Sequence, residues 1–68
     1  MRNETLEELR TLSEKELRNR LSELRREYFD LQAKLAAGAP PEQVHKFKLV
    51  RRQIARVLTV MRERGFMA

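Results

Sequence analysis

The apolar positions of this chain fall into two long helical patterns joined by a turn. In the first pattern, six residues are spaced alternately by four and three positions: Leu17, Leu21, Leu24, Tyr28, Leu31 and Leu35. In the second, the apolar residues fall within roughly 140° of a helix surface, at about 100° per residue. They are Val44, Phe47, Val50, Ile54, Val57, Leu58 and Met61. Each pattern predicts one long helix with an apolar seam.

Capping and turn residues predict where the helices begin and end. Thr5 precedes Glu8, and Ser13 precedes Glu16, at the spacing of capping boxes that start helices. Gly38 and the two prolines that follow it favour a helix end and a new start. The sequence therefore predicts one domain over residues 1–68, with a short helix at about 5–11, a long helix at about 14–37, a turn at 38–40 and a second long helix at about 41–64.

The two long helices are expected to pack against each other. The seam of the first helix is narrow, and a helix of about 36 Å with so little apolar surface needs a partner. The second helix has a similar length, so we predict an all-α antiparallel hairpin with a short N-terminal helix. In the predicted register Leu31 lies opposite Phe47 and Tyr28 opposite Val50, and facing residue numbers sum to about 78.

Charge is distributed unevenly along the chain. The formal net charge is +5, but the residues from Lys46 onwards hold seven bases and one acid, while the first forty-five hold eight bases and nine acids. A nearly neutral first part followed by a strongly basic last third indicates a polyanionic partner.

The bases of the second long helix form a row. Lys48, Arg52 and Arg56 fall with Thr59 within roughly 80° of the helix surface. Such a row replaces favourable i,i+4 pairs with like-charge repulsion, which an external anion would relieve. Phosphate is the usual biological match, because arginine binds its oxygens two at a time. The alternative is a solvated basic face with no partner.

An aromatic residue lies beside the leucine seam of the first long helix. Phe29 is roughly 120° from the centre of the seam, on the flank that also carries Arg25 and Gln32. Phe29 either folds back over the edge of the hairpin or contacts a nucleotide or a neighbouring protein, with Arg25 and Gln32 as hydrogen-bond donors.

The composition argues against several other classes of protein. Without cysteine, neither a disulfide nor a thiolate metal site is possible, and His45 is the single histidine. We expect no catalytic site, no cofactor, no bound metal and no small-molecule substrate, because no nucleophile–base pair or glycine-rich phosphate loop is present. No apolar run reaches about 20 residues, so no membrane insertion is expected.

The segment from Val50 to Thr59, VRRQIARVLT, resembles the signature of the large-subunit ribosomal protein twenty-nine family, VRR-x-IAR-xx-T. Two earlier segments are also similar: Glu8-Leu9-Arg10 before the Ser13 cap, and Phe29-Asp30-Leu31 on to Gly38. The resemblance covers about residues 4–64, and the signature itself is quite specific. Two positions depart from the family pattern, Gln32, where many members have arginine, and the Gly38–Pro41 turn.

The resemblance implies a function and a set of partners. It implies a cytosolic, ribosome-bound structural protein that binds large-subunit rRNA near the exit of the polypeptide tunnel. The neighbours it implies are ribosomal protein twenty-three and, at the tunnel exit, trigger factor or signal recognition particle. By position, the polar members of the signature correspond to Arg51, Arg52, Arg56 and Thr59. Together with the residues found above, the predicted RNA-binding set is Arg25, Phe29, Lys48, Arg51, Arg52, Arg56 and Thr59.

Other functions remain open on the sequence. The main alternative is a helical adaptor that binds another protein through its leucine seam. A small helical enzyme with an anionic substrate would need a pocket that two long helices hardly provide. A helix-turn-helix DNA-binding protein would need shorter helices and a compact corner. A basic amphipathic membrane helix conflicts with the use of its apolar face inside the hairpin.

Overall fold

The chain folds into two long helices and one short one. The computed structural model describes residues 3–67, with α1 at Leu6–Arg10, α2 at Glu14–Ala36 and α3 at Pro41–Glu63. The helices α2 and α3 pack side by side as an antiparallel hairpin, and α1 packs against α3. The predicted fold class, an all-helical hairpin with a short N-terminal helix, is confirmed. Residues 1, 2 and 68 of the predicted domain lie outside the described residues.

Local sequence signals set the helix ends. The Ser13 hydroxyl accepts a hydrogen bond from the backbone N–H of Glu16 at 3.2 Å, and the Glu16 carboxylate accepts one from the Ser13 N–H at 3.3 Å. Thr5 caps α1 in the same way, by accepting from the N–H of Glu8. Gly38 follows α2 with a φ of +88°, a left-handed conformation that glycine adopts without steric cost. The two N-caps and the glycine separate the three helices.

The leucine seam of α2 is covered by α3. Its buried members are Leu17, Leu21, Leu24 and Leu31. Tyr28 stacks on Phe47 with ring centroids 4.8 Å apart. The predicted register placed Tyr28 opposite Val50, but two long aromatic side chains on neighbouring helices reach past the residue directly opposite. The hairpin core is therefore built from the seam that the sequence predicts, with the aromatic contact shifted by three residues.

α3 buries a wider face than its apolar stripe predicts. Gln53 and Val60 lie outside that stripe but are only 2% and 0% exposed, whereas Val44, inside it, is 37% exposed. The cause is α1, which packs on a second flank of α3 and buries Leu9 completely. The predicted stripe is thus wrong at these positions, because a helix covered from two sides buries two flanks.

Polar contacts fix the segment before α1 to both long helices. The carboxylate of Glu4 accepts a hydrogen bond from Arg20 of α2 at 2.8 Å. The backbone carbonyl of Glu4 accepts one from the side-chain amide of Gln53 in α3 at 3.0 Å. Gln53 is buried, so this bond satisfies a polar group that would otherwise destabilise the core.

The ends of α1 and α3 are joined at the opposite end of the molecule from the turn. Arg10 donates two hydrogen bonds to the carboxylate of Glu63, each 3.0 Å long. Gly65, with a φ of +75°, ends α3 and turns the chain so that the N–H of Phe66 donates to the carbonyl of Met61 at 2.8 Å. The ring of Phe66 packs against the core.

Candidate nucleic-acid interface

A shallow groove runs between the two long helices on the side away from α1. It measures about 270 Å³ and is lined by Arg25 and Tyr28 of α2 and by Arg51 and Ile54 of α3. Two arginines from different helices thus flank a floor formed by an aromatic ring and an aliphatic side chain. Both arginines belong to the predicted RNA-binding set, but that set did not predict their proximity. The predicted register would have placed the two arginines near each other, since their residue numbers sum to 76 and facing residues were predicted to sum to about 78.

Helical periodicity extends this groove into a surface. Phe29 lies one turn after Arg25 on α2, and Lys48 lies one turn before Arg51 on α3, so both share the side of the hairpin that carries the groove. Phe29 is 74% exposed, and Lys48 and Arg51 are exposed as well. We call Arg25, Phe29, Lys48 and Arg51 the basic face.

Some cations of the chain contact other protein groups, and others do not. Six of them contact protein groups: Arg10, Arg18, Arg20, Lys34, Arg56 and Arg64. Within residues 3–67, the three cations of the basic face form no ion pair and no side-chain hydrogen bond with the protein, and the same holds for Arg52. Their donors are therefore available to a ligand.

The paired arginines differ electrostatically from those of the basic face. Hydrogen bonds to Glu63 and Glu4 raise the pKa values of Arg10 and Arg20 above the ordinary arginine value. The same contact with Arg10 lowers the pKa of Glu63 below its ordinary value. These pairs compensate charge inside the protein, whereas the three cations of the basic face have no such partner among the described residues.

The opposite side of the hairpin carries a larger groove of mixed charge. It measures about 720 Å³, and its charged lining residues are four acids and two bases: Glu4, Glu23, Glu27, Asp30, Arg20 and Arg26. An excess of carboxylates repels a polyanion. The two grooves therefore divide the surface into one side suited to phosphate and one side that is not.

Arg56 departs from the predicted row of cations. Its side chain is half-buried, and its Nη1 donates hydrogen bonds to Oδ1 of Asn3 at 2.9 Å and to the backbone carbonyl of Glu4 at 3.3 Å. Lys48 and Arg52, the other two cations of the row, are exposed. Arg56 thus holds the N-terminal segment, a structural role that the sequence analysis missed because Asn3 is 53 residues away.

Thr59 is exposed on α3, but its hydroxyl proton is in use. Oγ1 donates to the backbone carbonyl of Ala55 one turn earlier, at 2.7 Å. In this conformation the hydroxyl offers a ligand a lone pair and not a proton.

No cluster of three or more histidine, cysteine or acidic side chains in residues 3–67 could hold a metal ion. No helix in that range is long and apolar enough to cross a membrane.

Comparison with known proteins decides the family. A family model described as Ribosomal L29 protein matches residues 7–64, which include all three helices except the first residue of α1. The chain belongs to the ribosomal L29 protein family. The resemblance found in the sequence is therefore confirmed, and with it the role of the family: the chain is a structural constituent of the large ribosomal subunit and not an enzyme.

Relatives from the ribosomal L29 family align with most of the chain. The large ribosomal subunit protein uL29 of Streptococcus sanguinis is 48% identical over 60 residues, covering 88% of this chain and 87% of its own. The uL29 protein of Thermodesulfovibrio yellowstonii is 44% identical over 61 residues, covering 90% and 83%. That of Picrophilus torridus is 43% identical over 56 residues, covering 82% and 86%. No solved structure matches the chain significantly.

Membership of the ribosomal L29 family places the chain on the ribosome in the cytoplasm, with rRNA and other ribosomal proteins as its partners. The alternative of an adaptor that binds through its leucine seam loses its surface, because α3 covers the four buried leucines of that seam.

Proposed function

We propose that the basic face binds the phosphate backbone of large-subunit rRNA. The observation that carries this proposal is the pairing of Arg25 and Arg51 across one groove, with no carboxylate among the residues that line it. Arginine forks on both sides of a groove can each bind two oxygens of a phosphate group, and the release of counterions from the RNA favours the complex.

The other residues of the predicted RNA-binding set are proposed to contribute in different ways. Lys48 extends the basic face by one turn, and Arg52 lies one turn after Lys48 on α3, so both are proposed to bind neighbouring phosphates. Thr59 accepts a hydrogen bond, for example from a ribose 2′-hydroxyl, because its own hydroxyl proton is donated to the backbone carbonyl of Ala55. Arg56 contributes mainly by fixing the N-terminal segment and only secondarily as a nearby positive charge.

Binding by shape and charge fits the small size of the protein. A chain of 68 residues seldom obtains more than about 3 to 5 kcal/mol from its own core. A partner that binds only the folded state adds its binding free energy to that stability. We therefore propose that rRNA stabilises the hairpin and that the hairpin in turn holds the RNA strands it contacts.

The salt dependence of rRNA binding tests this proposal. The double variant Arg25→Ala with Lys48→Ala removes two cations of the basic face. It is expected to lower the slope of log K against log salt by about 2, because each lost phosphate contact lowers it by about 1. The probe is a transcript of the large-subunit rRNA, and the full chain is used.

The chain supplies a charge-matched control. Arg26 and Lys46 are exposed bases of the same types on the same helices, and Arg26 lines the opposite groove. The double variant Arg26→Ala with Lys46→Ala has the same net charge as the test variant and is expected to keep the wild-type slope. Equal losses in both double variants would show that only overall charge matters and would overturn the proposal.

We further propose, on the family resemblance, a position near the exit of the polypeptide tunnel. Ribosomal protein twenty-three is the proposed protein neighbour there, and trigger factor or signal recognition particle the proposed transient partners. Cross-linking mass spectrometry on purified large subunits tests this placement. Cross-links from the lysines of this chain to protein twenty-three are expected, and cross-links only to proteins remote from the exit would contradict it.

A further inference from the structure

Phe29 is a large aromatic side chain that the fold leaves in solvent. It is 74% exposed although it lies in the middle of α2, where the helix is packed along its whole seam. Its neighbour Tyr28 is half-buried and stacked on Phe47. Phe29 therefore projects from a packed helix, and its ring does not cover the core.

The surroundings of Phe29 are cationic. Arg25 lies one turn before it on α2, and Lys48 lies at about the same level of α3, since the residue numbers of Phe29 and Lys48 sum to 77, close to the 76 of the groove residues Arg25 and Arg51. None of the residues three or four positions from any member of the basic face is acidic. One exposed aromatic ring thus shares its side of the hairpin with three cations: Arg25, Lys48 and Arg51.

We propose that this arrangement binds a single unstacked nucleotide of the RNA. Its base stacks on the ring of Phe29, and its phosphate lies between Arg25 and Arg51 in the groove. Because every base has a π-face, the stack tolerates any base, and the arginines fix the backbone on either side. This inference rests on the proposed function and adds the class of RNA element: a bulge, loop or strand end, not a continuous duplex.

The chemistry of the site favours a nucleotide over a protein. An apolar protein surface that covered Phe29 would also remove three unpaired cations from water, which is unfavourable unless each finds an anion. A nucleotide supplies an apolar face and an anion within one residue. A continuous A-form duplex keeps its base faces stacked inside the helix, so it could not contact the ring in this way.

Two RNA probes of equal length separate this inference from plain phosphate binding. Both are hairpins, one fully paired and one with a single bulged 2-aminopurine, whose fluorescence falls when the base stacks. Wild-type protein is expected to bind the bulged hairpin more tightly and to quench its fluorescence. Equal affinity for the two hairpins with no quenching would overturn the inference.

Variants at Phe29 isolate the ring. Phe29→Leu keeps an apolar side chain but has no π-face, and it is expected to bind the bulged hairpin about 5- to 150-fold more weakly and to lose the quenching. Phe29→Trp is expected to restore both. Since Phe29 is exposed, both variants are expected to keep the wild-type helical circular dichroism. Wild-type affinity and quenching in Phe29→Leu would show that the ring contacts something other than RNA.

The salt slope distinguishes failure of this inference from failure of the proposed function. Phe29→Leu removes no charge, so its slope is expected to equal that of the wild type while its affinity falls. If the Arg25 and Lys48 double variant loses slope but Phe29→Leu binds both hairpins as the wild type does, phosphate binding stands and the nucleotide site is wrong. If neither variant changes binding, both are wrong.

Discussion

Arg56 of α3 donates a hydrogen bond to the side chain of Asn3 at 2.9 Å, joining two residues that are 53 positions apart in the chain. The same nitrogen also donates to the carbonyl of Glu4, whose carboxylate is held by Arg20 of α2. Arg56 thus links α3 to the N-terminal segment, whereas Lys48 and Arg52, the other two cations of the same row, are exposed.

The first prediction concerns this arginine. Arg56→Ala is expected to lower the free energy of unfolding by about 1 kcal/mol, because hydrogen bonds to Asn3 and Glu4 are lost. Urea denaturation followed by circular dichroism measures the change, and Arg52→Ala, which removes an exposed unpaired arginine, is the control. A variant with unchanged stability but weakened rRNA binding would show that Arg56 acts as an RNA contact instead.

The second prediction concerns the packing of α1. Leu9 is completely buried, so Leu9→Ala is expected to cost about 2 to 5 kcal/mol, comparable with the whole stability of so small a protein. The free variant should be largely unfolded at 25 °C and should regain helical circular dichroism when large-subunit rRNA is added. Leu35→Ala, at a half-buried position, is the milder control. A fully folded free Leu9→Ala would mean that α1 contributes little to the core.

The third prediction concerns pH. Arg10 lowers the pKa of Glu63 in the folded chain, so this carboxylate binds its proton less readily when folded than when unfolded. Its contribution to stability is therefore present above the unfolded pKa and is lost as the pH falls through the lower folded pKa. In Glu63→Gln that contribution is absent at every pH.

Urea denaturation at a series of pH values between 7 and 2 checks this sign. The stability of the wild type should approach that of Glu63→Gln as the pH falls, and the difference should be largest near neutrality. Glu42→Gln, at an exposed position at the other end of α3, serves as a charge-matched control. A difference between wild type and Glu63→Gln that grows towards low pH would contradict the role assigned to the Arg10–Glu63 pair.

Local signals in the sequence account for the hairpin. The four-three spacing from Leu17 to Leu35 predicted the seam that α3 covers, and the Ser13 cap predicted the start of α2. These features are encoded within one or two helical turns, so the local sequence predicts them without knowledge of the rest of the fold.

Contacts between remote segments account for what the sequence did not reveal. Gln53 and Val60 are buried on the flank of α3 that α1 and the segment before it cover, and so short a helix carries too few apolar positions to predict where it packs. In the same way, nothing near Arg56 in the sequence distinguishes it from Arg52. The residues of the candidate site were predicted from the sequence. Their arrangement around the Arg25–Arg51 groove depends on how α2 and α3 are aligned, which the structure shows.

Tethered cleavage of rRNA tests the central claim most directly. Because the chain contains no cysteine, single cysteines at chosen positions can each carry an iron chelate that cuts nearby RNA. Ala55, an exposed residue one turn after Arg51, reports on the basic face, and Glu7 on α1 reports on the other side. In large subunits reconstituted with these proteins, we expect strong rRNA cleavage from Ala55→Cys and little from Glu7→Cys. Strong cleavage from Glu7→Cys with none from Ala55→Cys would contradict binding of rRNA by the basic face.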